Sequence, residues 1–470
     1  MNIIMATREF SGVGRKWSGQ ADMVRALSTA LVKEGVKTTV IMPLGDESQI
    51  VALASRSCCD FTVHFRDKMI HASAYEIKAV DTALPDFIFI KMPSVEIGDP
   101  YFSGNETSVE KRFGLFFDRA AVAFLETHPH DFDLVHAHTK VDFLAYFAKQ
   151  RELKLPVLYT IHSLERKEDN IFLRDEFNEL SDCETKEAKV DPFVFALTYS
   201  DRLTTVSEQY AKELKAKKTR YKDLVIALTA NAKKLTGILN GLDRDFTPMQ
   251  LFLDRLLPYN INLSETENKQ RAHLDLQEML KLPKDPNIPI MLWSQRLVEA
   301  KGAMEFSGGI NSAIPLGMQV VIFGRGEERY EFPFVNKDRK FPNQIRFVRF
   351  NQFNSSFEPS FIAGSDLVIL PSLEEPCGLL ALKAMRLGTL PFVNPVGGLA
   401  QIVKDNVNGF TIPKGISMED SIGDRLKQIN ELFRNNKPAW LEMQKKAMDY
   451  DSFWPTPAEK YIKIYQQMLA

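Results

Sequence analysis

The stretch Glu375-Pro376-Cys377-Gly378-Leu379 sets an acid, a thiol and a glycine between two apolar runs. Ahead of it lies Leu367-Val368-Ile369-Leu370-Pro371, and behind it Gly378 to Leu387 carries apolar residues at helical spacing. That order predicts strand, loop and helix, with Glu375 just ahead of a helix N-terminus. Free N–H groups and the positive dipole end there suit an anion or a sugar rich in hydroxyls. A second glycine loop, Gly397-Gly398-Leu399, follows the strand pattern Leu390–Val393 and opens another helix. Two such loops on one edge of a parallel sheet make a ligand crevice; spacing alone fits two ordinary strand-to-helix turns equally well.

These loops need a sheet behind them, and the chain carries two alternating α/β patterns. Near the N-terminus, Asn2–Ala6 reads as a buried strand, residues 8–20 as a polar glycine-containing loop, Asp22–Lys33 as an amphipathic helix and Thr38–Met42 as the next strand. Gly12-Val13-Gly14 is an incomplete dinucleotide signal. A fresh pattern starts at Pro289, with strands expected at Ile290–Trp293, Gln319–Phe323, Ile345–Val348, Leu367–Leu370 and Leu390–Val393. Two such blocks indicate two doubly wound, Rossmann-like domains facing a cleft. The expected division is residues 1–246, residues 247–450 and a terminal helix over 451–470. The segment 46–92 reads as further strands and connections, and Glu165–Asp191 as a charged surface segment.

The bulk properties exclude several classes. A net charge of −2 over 470 residues gives no electrostatic argument for nucleic acid or an anionic membrane. Apolar runs stop well short of the roughly 18 residues a membrane span needs. Met1–Met5 reads as a strand rather than a signal peptide. The four cysteines suggest neither a disulfide framework nor a metal site, which predicts a reduced, cytoplasmic protein. His136 and His138 lie two apart on a strand, on one face, but no third metal ligand is evident. A structural or sugar-facing hydrogen-bonding role is the expectation for them, with no metal.

Pro371-Ser372-Leu373-Glu374-Glu375-Pro376-Cys377-Gly378-Leu379, with Ala384-Met385-Arg386, Gly388-Thr389 and Gly397-Gly398-Leu399-Ala400, resembles the bacterial glycogen/starch synthase family, retaining transferases of GT-B fold. Other segments agree. Lys16-Trp17-Ser18-Gly19-Gln20-Ala21-Asp22-Met23-Val24 is similar to K-x-G-G-L-x-D-V-V, with Ser18 and Gln20 as departures. Asp133-Leu134-Val135-His136-Ala137-His138 matches D-x-V-H-x-H, but Thr139-Lys140-Val141 replaces D-W-H. Thr160-Ile161-His162-Ser163 resembles T-I-H-N. Ser294-Gln295-Arg296-Leu297-Val298-Glu299-Ala300-Lys301-Gly302 resembles S-R-L-x-x-Q-K-G. Phe323-Gly324-Arg325-Gly326-Glu327 matches a strand-glycine loop, and Phe353 falls on an aromatic position. His273 stands where K-x-x-L-Q has its lysine, and Gln401 replaces an acid. The terminal helix resembles the family's closing helix, which returns to the N-terminal domain.

The resemblance implies glucose transfer from ADP-glucose, with UDP-glucose the alternative, to the non-reducing end of an α-1,4-glucan. It implies no metal or other cofactor. Glu375, His162, Arg296 and Lys301 would be the catalytic set. Arg296 and Lys301 would hold the donor's diphosphate, a guanidinium forking onto two oxygens and an ammonium adding a point charge. Lys16, Gly19, Asp22, His136, Gly324, Phe353, Cys377, Gly378, Leu379, Gly397 and Gly398 would line the donor and substrate positions. Residue by residue a plainer role competes: helix cap for Asp22, solvated loop for Lys16, structural hydrogen bonder for His162, core packing for Phe353. A GT-B transferase with a different acceptor and a non-catalytic glucan-binding paralogue are the alternative functions.

Overall fold

The computed structural model describes residues 1–13, 18–44, 58–65, 68–79, 81, 83–91, 108–164, 171–173, 189–216, 221–264, 266–349, 355–415 and 417–470. Two compact units divide the chain: Met1–Gly241 with Trp454–Ala470, and Leu242–Phe453. Leu242 and Phe453 bridge as parallel partners, and the Leu242 N–H donates to the Ser452 carbonyl. The second unit thus begins and ends on segments paired with one another, which sets its limits at 242 and 453 rather than 247 and 450.

The first unit holds a nine-stranded sheet. Its strands are β1 (Asn2–Ala6), β2 (Lys37–Pro43), β3 (Cys59–Phe65), β4 (Lys68–Ile77), β5 (Asp86–Lys91), β6 (Leu134–His138), β7 (Val157–Ile161), β10 (Arg202–Thr205) and β11 (Leu235–Gly237), while β8 (Phe172–Leu173) and β9 (Lys189–Val190) pair separately. The order is β11-β10-β7-β6-β1-β2-β5-β4-β3. Strands β1, β2, β5, β6, β7, β10 and β11 run parallel, and β4 and β3 add an antiparallel edge. The central strands are apolar on both faces, as a sheet covered on both sides requires. On one face Met23, Val24 and Leu27 of the helix Gly19–Lys33 pack beside Trp454, Ala458, Tyr461 and Tyr465 of the terminal helix Pro455–Leu469. The opposite face is covered by a larger cluster that includes Phe116, Phe117 and Phe124 of the helix Ser108–Thr127 and Phe195 of Pro192–Tyr199 among its buried rings.

The second unit is a six-stranded, all-parallel sheet ordered β14-β13-β12-β15-β16-β17. Its strands are β12 (Ile290–Ser294), β13 (Gln319–Gly324), β14 (Ile345–Arg349), β15 (Leu367–Leu370), β16 (Leu390–Val393) and β17 (Phe410–Thr411). The five expected strands begin where the pattern places them; β17, two residues long, carries too little periodicity to be read from sequence. Because β12 lies between β13 and β15, the loops leaving these strands share one sheet edge. The helix Glu267–Met279 buries Lys269, whose ammonium donates to the carbonyls of Ala363 and Ser365 and to the Thr389 hydroxyl. Burial holds this lysine down to about 7.

Candidate functional site

In the second unit, the loop after β12 carries Arg296 and Lys301, and the loop after β15 carries Glu375. Lys301 Nζ lies 2.7 Å from Glu375 Oε2, and both side chains are mostly buried. Ser372 Oγ donates to the same carboxylate oxygen at 3.1 Å. Backbone bonds fix this geometry: the N–H groups of Leu373 and Glu374 both donate to the Ala300 carbonyl, at 2.9 and 3.2 Å. Gly302, at φ +72°, lets the first loop come this close, because a Cβ there would sit 2.1 Å from the Pro371 carbonyl oxygen. Asn394, at the end of β16, donates to the Ser372 carbonyl and braces the turn from the far side.

The second glycine loop supports the first instead of offering an open cradle. The Gly398 N–H donates to the Glu375 carbonyl at 3.0 Å. A Cβ on Gly398 would meet the Cys377 oxygen at 1.8 Å, and one on Gly397 the Glu375 oxygen at 2.0 Å. The Gly398 N–H is therefore already engaged within the loop set. Gly378, at φ +89°, precedes the helix Leu379–Arg386, which no side chain caps; the Ala381 N–H donates to the Gly378 carbonyl at 2.9 Å. Cys377 is buried in this turn.

Arg296 is half-buried at the mouth of the neighbouring loop. The Leu297 N–H donates to the Arg325 carbonyl, and Leu297 bridges Gly326. Gly324 permits that approach, since a Cβ there would lie 2.5 Å from the Gln295 oxygen. Lys383, eight residues past Glu375, pairs with Glu358 at 2.9 Å. His273 pairs with Asp366 at 3.2 Å, and Asp366 accepts the Ile290 N–H, so the histidine that stands for a lysine anchors the start of β12.

In the first unit three histidines cluster at the ends of β6 and β7. His136 is fully buried, with Nδ1 2.8 Å from the Tyr465 hydroxyl and Nε2 2.7 Å from Thr160 Oγ1. Both ring nitrogens are occupied by the protein, so His136 ties β6 to the terminal helix and is no substrate ligand, against the assignment drawn from the resemblance. His138 Nδ1 lies 3.0 Å from His162 Nε2. Burial holds His136 and His162 down to about 3 and His138 well below its ordinary value, so all three rings are neutral at pH 7. His162 is partly exposed. Its N–H donates to Thr139 Oγ1 at 2.9 Å, and that hydroxyl donates to the Thr160 carbonyl at 3.2 Å. Among the described residues no group of three or more His, Cys, Asp or Glu side chains has metal-site geometry.

The departures in the N-terminal motif also find partners. Ser18, not Asp22, caps the first helix, which begins at Gly19; Asp22 sits in its first turn. Glu9, nearly fully buried, accepts from the Ser18 N–H at 2.8 Å and from its hydroxyl at 2.5 Å. Gln20 Nε2 donates to the Thr139 carbonyl at 3.1 Å. Gly19 is exposed. Lys16 and Phe353 lie outside the described residues. Glu9, Ser372, Asn394 and Thr160 had no role in the sequence reading. Ser372 lies inside the quoted motif, whereas nothing in the spacing of Glu9 or Asn394 marks them.

Comparison with known proteins agrees with this architecture. Residues 2–228 match the starch synthase catalytic domain model, and residues 277–446 match the glycosyl transferases group 1 model. The glycogen synthase of Kosmotoga olearia is 30% identical over 97% of this chain and 95% of that protein. That of Clostridium novyi is 29% identical over 100% of this chain and 99% of that protein. The catalytic domain of Arabidopsis thaliana starch synthase IV, solved bound to ADP and acarbose, superposes with a TM-score of 0.86 at 24% identity, covering 100% of this chain and 99% of that one. With a family match in each half and a relative matched along nearly its whole length, the chain is a GT-B glycosyltransferase and belongs to the glycogen/starch synthase family.

Proposed function

We propose that the protein transfers glucose from ADP-glucose to the 4-hydroxyl at the non-reducing end of an α-1,4-glucan, with the α configuration retained. The observation that carries this reading is the Lys301–Glu375 pair, held by a glycine-tight loop set on the sheet edge that also bears Arg296. An ammonium has three donors, so Lys301 can keep Glu375 and still meet a phosphate oxygen. Glu375 likewise keeps Oε1 for a sugar hydroxyl. The ADP-bound starch synthase IV supports an adenine nucleotide as donor base.

In the front-face displacement proposed here, the bond from C1 to the diphosphate oxygen breaks and its electron pair leaves with the nucleotide. The acceptor hydroxyl attacks C1 from that same side and passes its proton to the departing phosphate oxygen. Arg296 and Lys301 neutralise the leaving group, Glu375 supports the positive charge growing on the sugar, and His162 orients the sugar, with Lys16 and Gly19 on the donor side. Catalysis is then alignment and charge stabilisation, for which the two cations suffice without a metal. We place the reaction in the cytoplasm; among the described residues no helix is long and apolar enough to cross a membrane.

Nucleotide release measured with ADP-glucose and with UDP-glucose, each with and without glycogen, tests the proposal. Primer-dependent release of ADP, with α-1,4-linked product, is expected. Faster turnover with UDP-glucose, or release indifferent to glucan, would move the assignment to another donor or acceptor. No turnover on any donor would leave a glucan-binding paralogue.

A further inference from the structure

His138 is fully buried, and its ring makes one hydrogen bond, from Nδ1 to His162 Nε2 at 3.0 Å. Its Nε2 is buried with no protein partner among the described residues. His162 Nδ1, by contrast, belongs to a partly exposed ring and has no protein partner among the described residues. Two neutral imidazoles sharing one contact must decide which of them donates. If His162 donated from Nε2, His138 would carry its own proton on Nε2, leaving a buried N–H without a protein acceptor. If His138 donates from Nδ1, the orphan is a bare nitrogen lone pair. A buried donor without an acceptor is the rarer and costlier of the two. The second arrangement also leaves His162 with its proton on Nδ1.

We propose that His138 is a positioning residue that donates to His162 and so fixes the His162 proton on Nδ1, making that nitrogen a hydrogen-bond donor toward an oxygen of the sugar substrate. The idea rests on the transferase reading above, in which His162 meets the sugar. The depressed titration of both rings supports it, because a pair that stays neutral cannot escape the choice by taking up a second proton. Thr139 fixes the backbone of His162 from the other side, so that the ring's proton is the degree of freedom left to His138. His136, held by Tyr465 and Thr160, takes no part in the exchange.

The test is a long-range proton–nitrogen correlation spectrum of the full-length protein carrying isotope-labelled histidine, with His162 assigned from a His162→Ala sample. Wild type is expected to show His162 and His138 both protonated on Nδ1. His138→Asn keeps a donor at about the place of Nδ1 and should preserve the His162 form, whereas His138→Leu should lose it. In turnover, His138→Leu should lower kcat about tenfold, the worth of one oriented hydrogen bond, with KM for the nucleotide sugar changed by less than about twofold; His138→Asn should recover most of kcat. A wild-type spectrum with His162 protonated on Nε2 overturns the proposal, as does a folded His138→Leu protein whose His162 form is unchanged. Should His138→Leu fail to fold, the wild-type spectrum and the Asn variant still decide. A protein that turned over no nucleotide sugar would remove the transferase reading, while the spectrum would still judge the proton's position.

Discussion

At the edge of the second sheet, Lys301 and Glu375 pair while partly exposed, held 2.7 Å apart by loops that glycines allow to touch. At the end of the first sheet, His136, His138 and His162 crowd together with burial holding every ring neutral. One region gathers an ammonium, a guanidinium and a carboxylate, and the other gathers three neutral rings. The contrast follows from packing. The lysine and carboxylate sit on loops at the sheet edge, where they pair with part of each side chain exposed. The histidines end interior strands covered by helices on both faces, so desolvation penalises the cation.

The sharpest way to break this contrast is to remove the charge. Glu375→Ala should lower kcat by about a hundredfold to a thousandfold, the usual loss for one charge-stabilising group, in the primer-dependent nucleotide assay. Arg296→Ala should fall in the same range if it serves the departing phosphate. A smaller loss for Glu375→Ala than for His162→Ala would reverse the assigned balance between the units.

Next comes the glycine that lets the charged loops meet. Gly302→Ala puts a methyl 2.1 Å from the Pro371 oxygen at a left-handed φ, and should cost about 2 kcal/mol or more in stability. Chemical denaturation checks the cost, and kcat should fall with it as Lys301 is displaced.

On the neutral side, acid should expose the histidines. His136 has its folded value at about 3, below the ordinary 6.5, so the folded protein binds fewer protons than the unfolded chain between those values. Its contribution to stability is complete above pH 6.5 and is lost as pH falls toward 3, at up to about 1.4 kcal/mol per pH unit. Asp142, which burial pushes up to about 6, slopes the opposite way below that pH. The His136→Asn variant isolates the histidine: the stability gap between wild type and variant should narrow on acidification from pH 7 to pH 5.

The smallest expected effect is at Thr139. Thr139→Val removes the acceptor of the His162 N–H and should cost about 1 kcal/mol, while Thr139→Ser should be close to wild type. Urea unfolding measures the difference. A neutral Thr139→Val would mean that β7 holds the His162 backbone unaided.

Much of the second unit was legible because parallel strands buried on both faces leave long apolar runs with glycine and proline between them. Glu375, Gly378 and Lys301 could be named from such a loop and its resemblance. The first unit was less legible at its site. By residue type Asp22 is the helix start, yet Ser18 caps the helix, and Ser18 is held in place by Glu9, a contact that no spacing announces. His136 is a substrate residue only by resemblance, and its spacing leaves a structural role open, because a histidine at a strand end has the same spacing whether it faces a ligand or a tyrosine more than three hundred positions along the chain.

By itself the sequence determined the strand order in time, the two α/β blocks, and the residue types at each loop, since periodicity and turn chemistry are local properties of the chain. Which of those residues pair with each other, which rings are held neutral, and which glycine N–H is already spent on Glu375 was decided only in three dimensions. Desolvation and hydrogen-bond partnership depend on neighbours that lie far away along the chain, as Tyr465 does from His136 and Gly398 from the Glu375 carbonyl it holds.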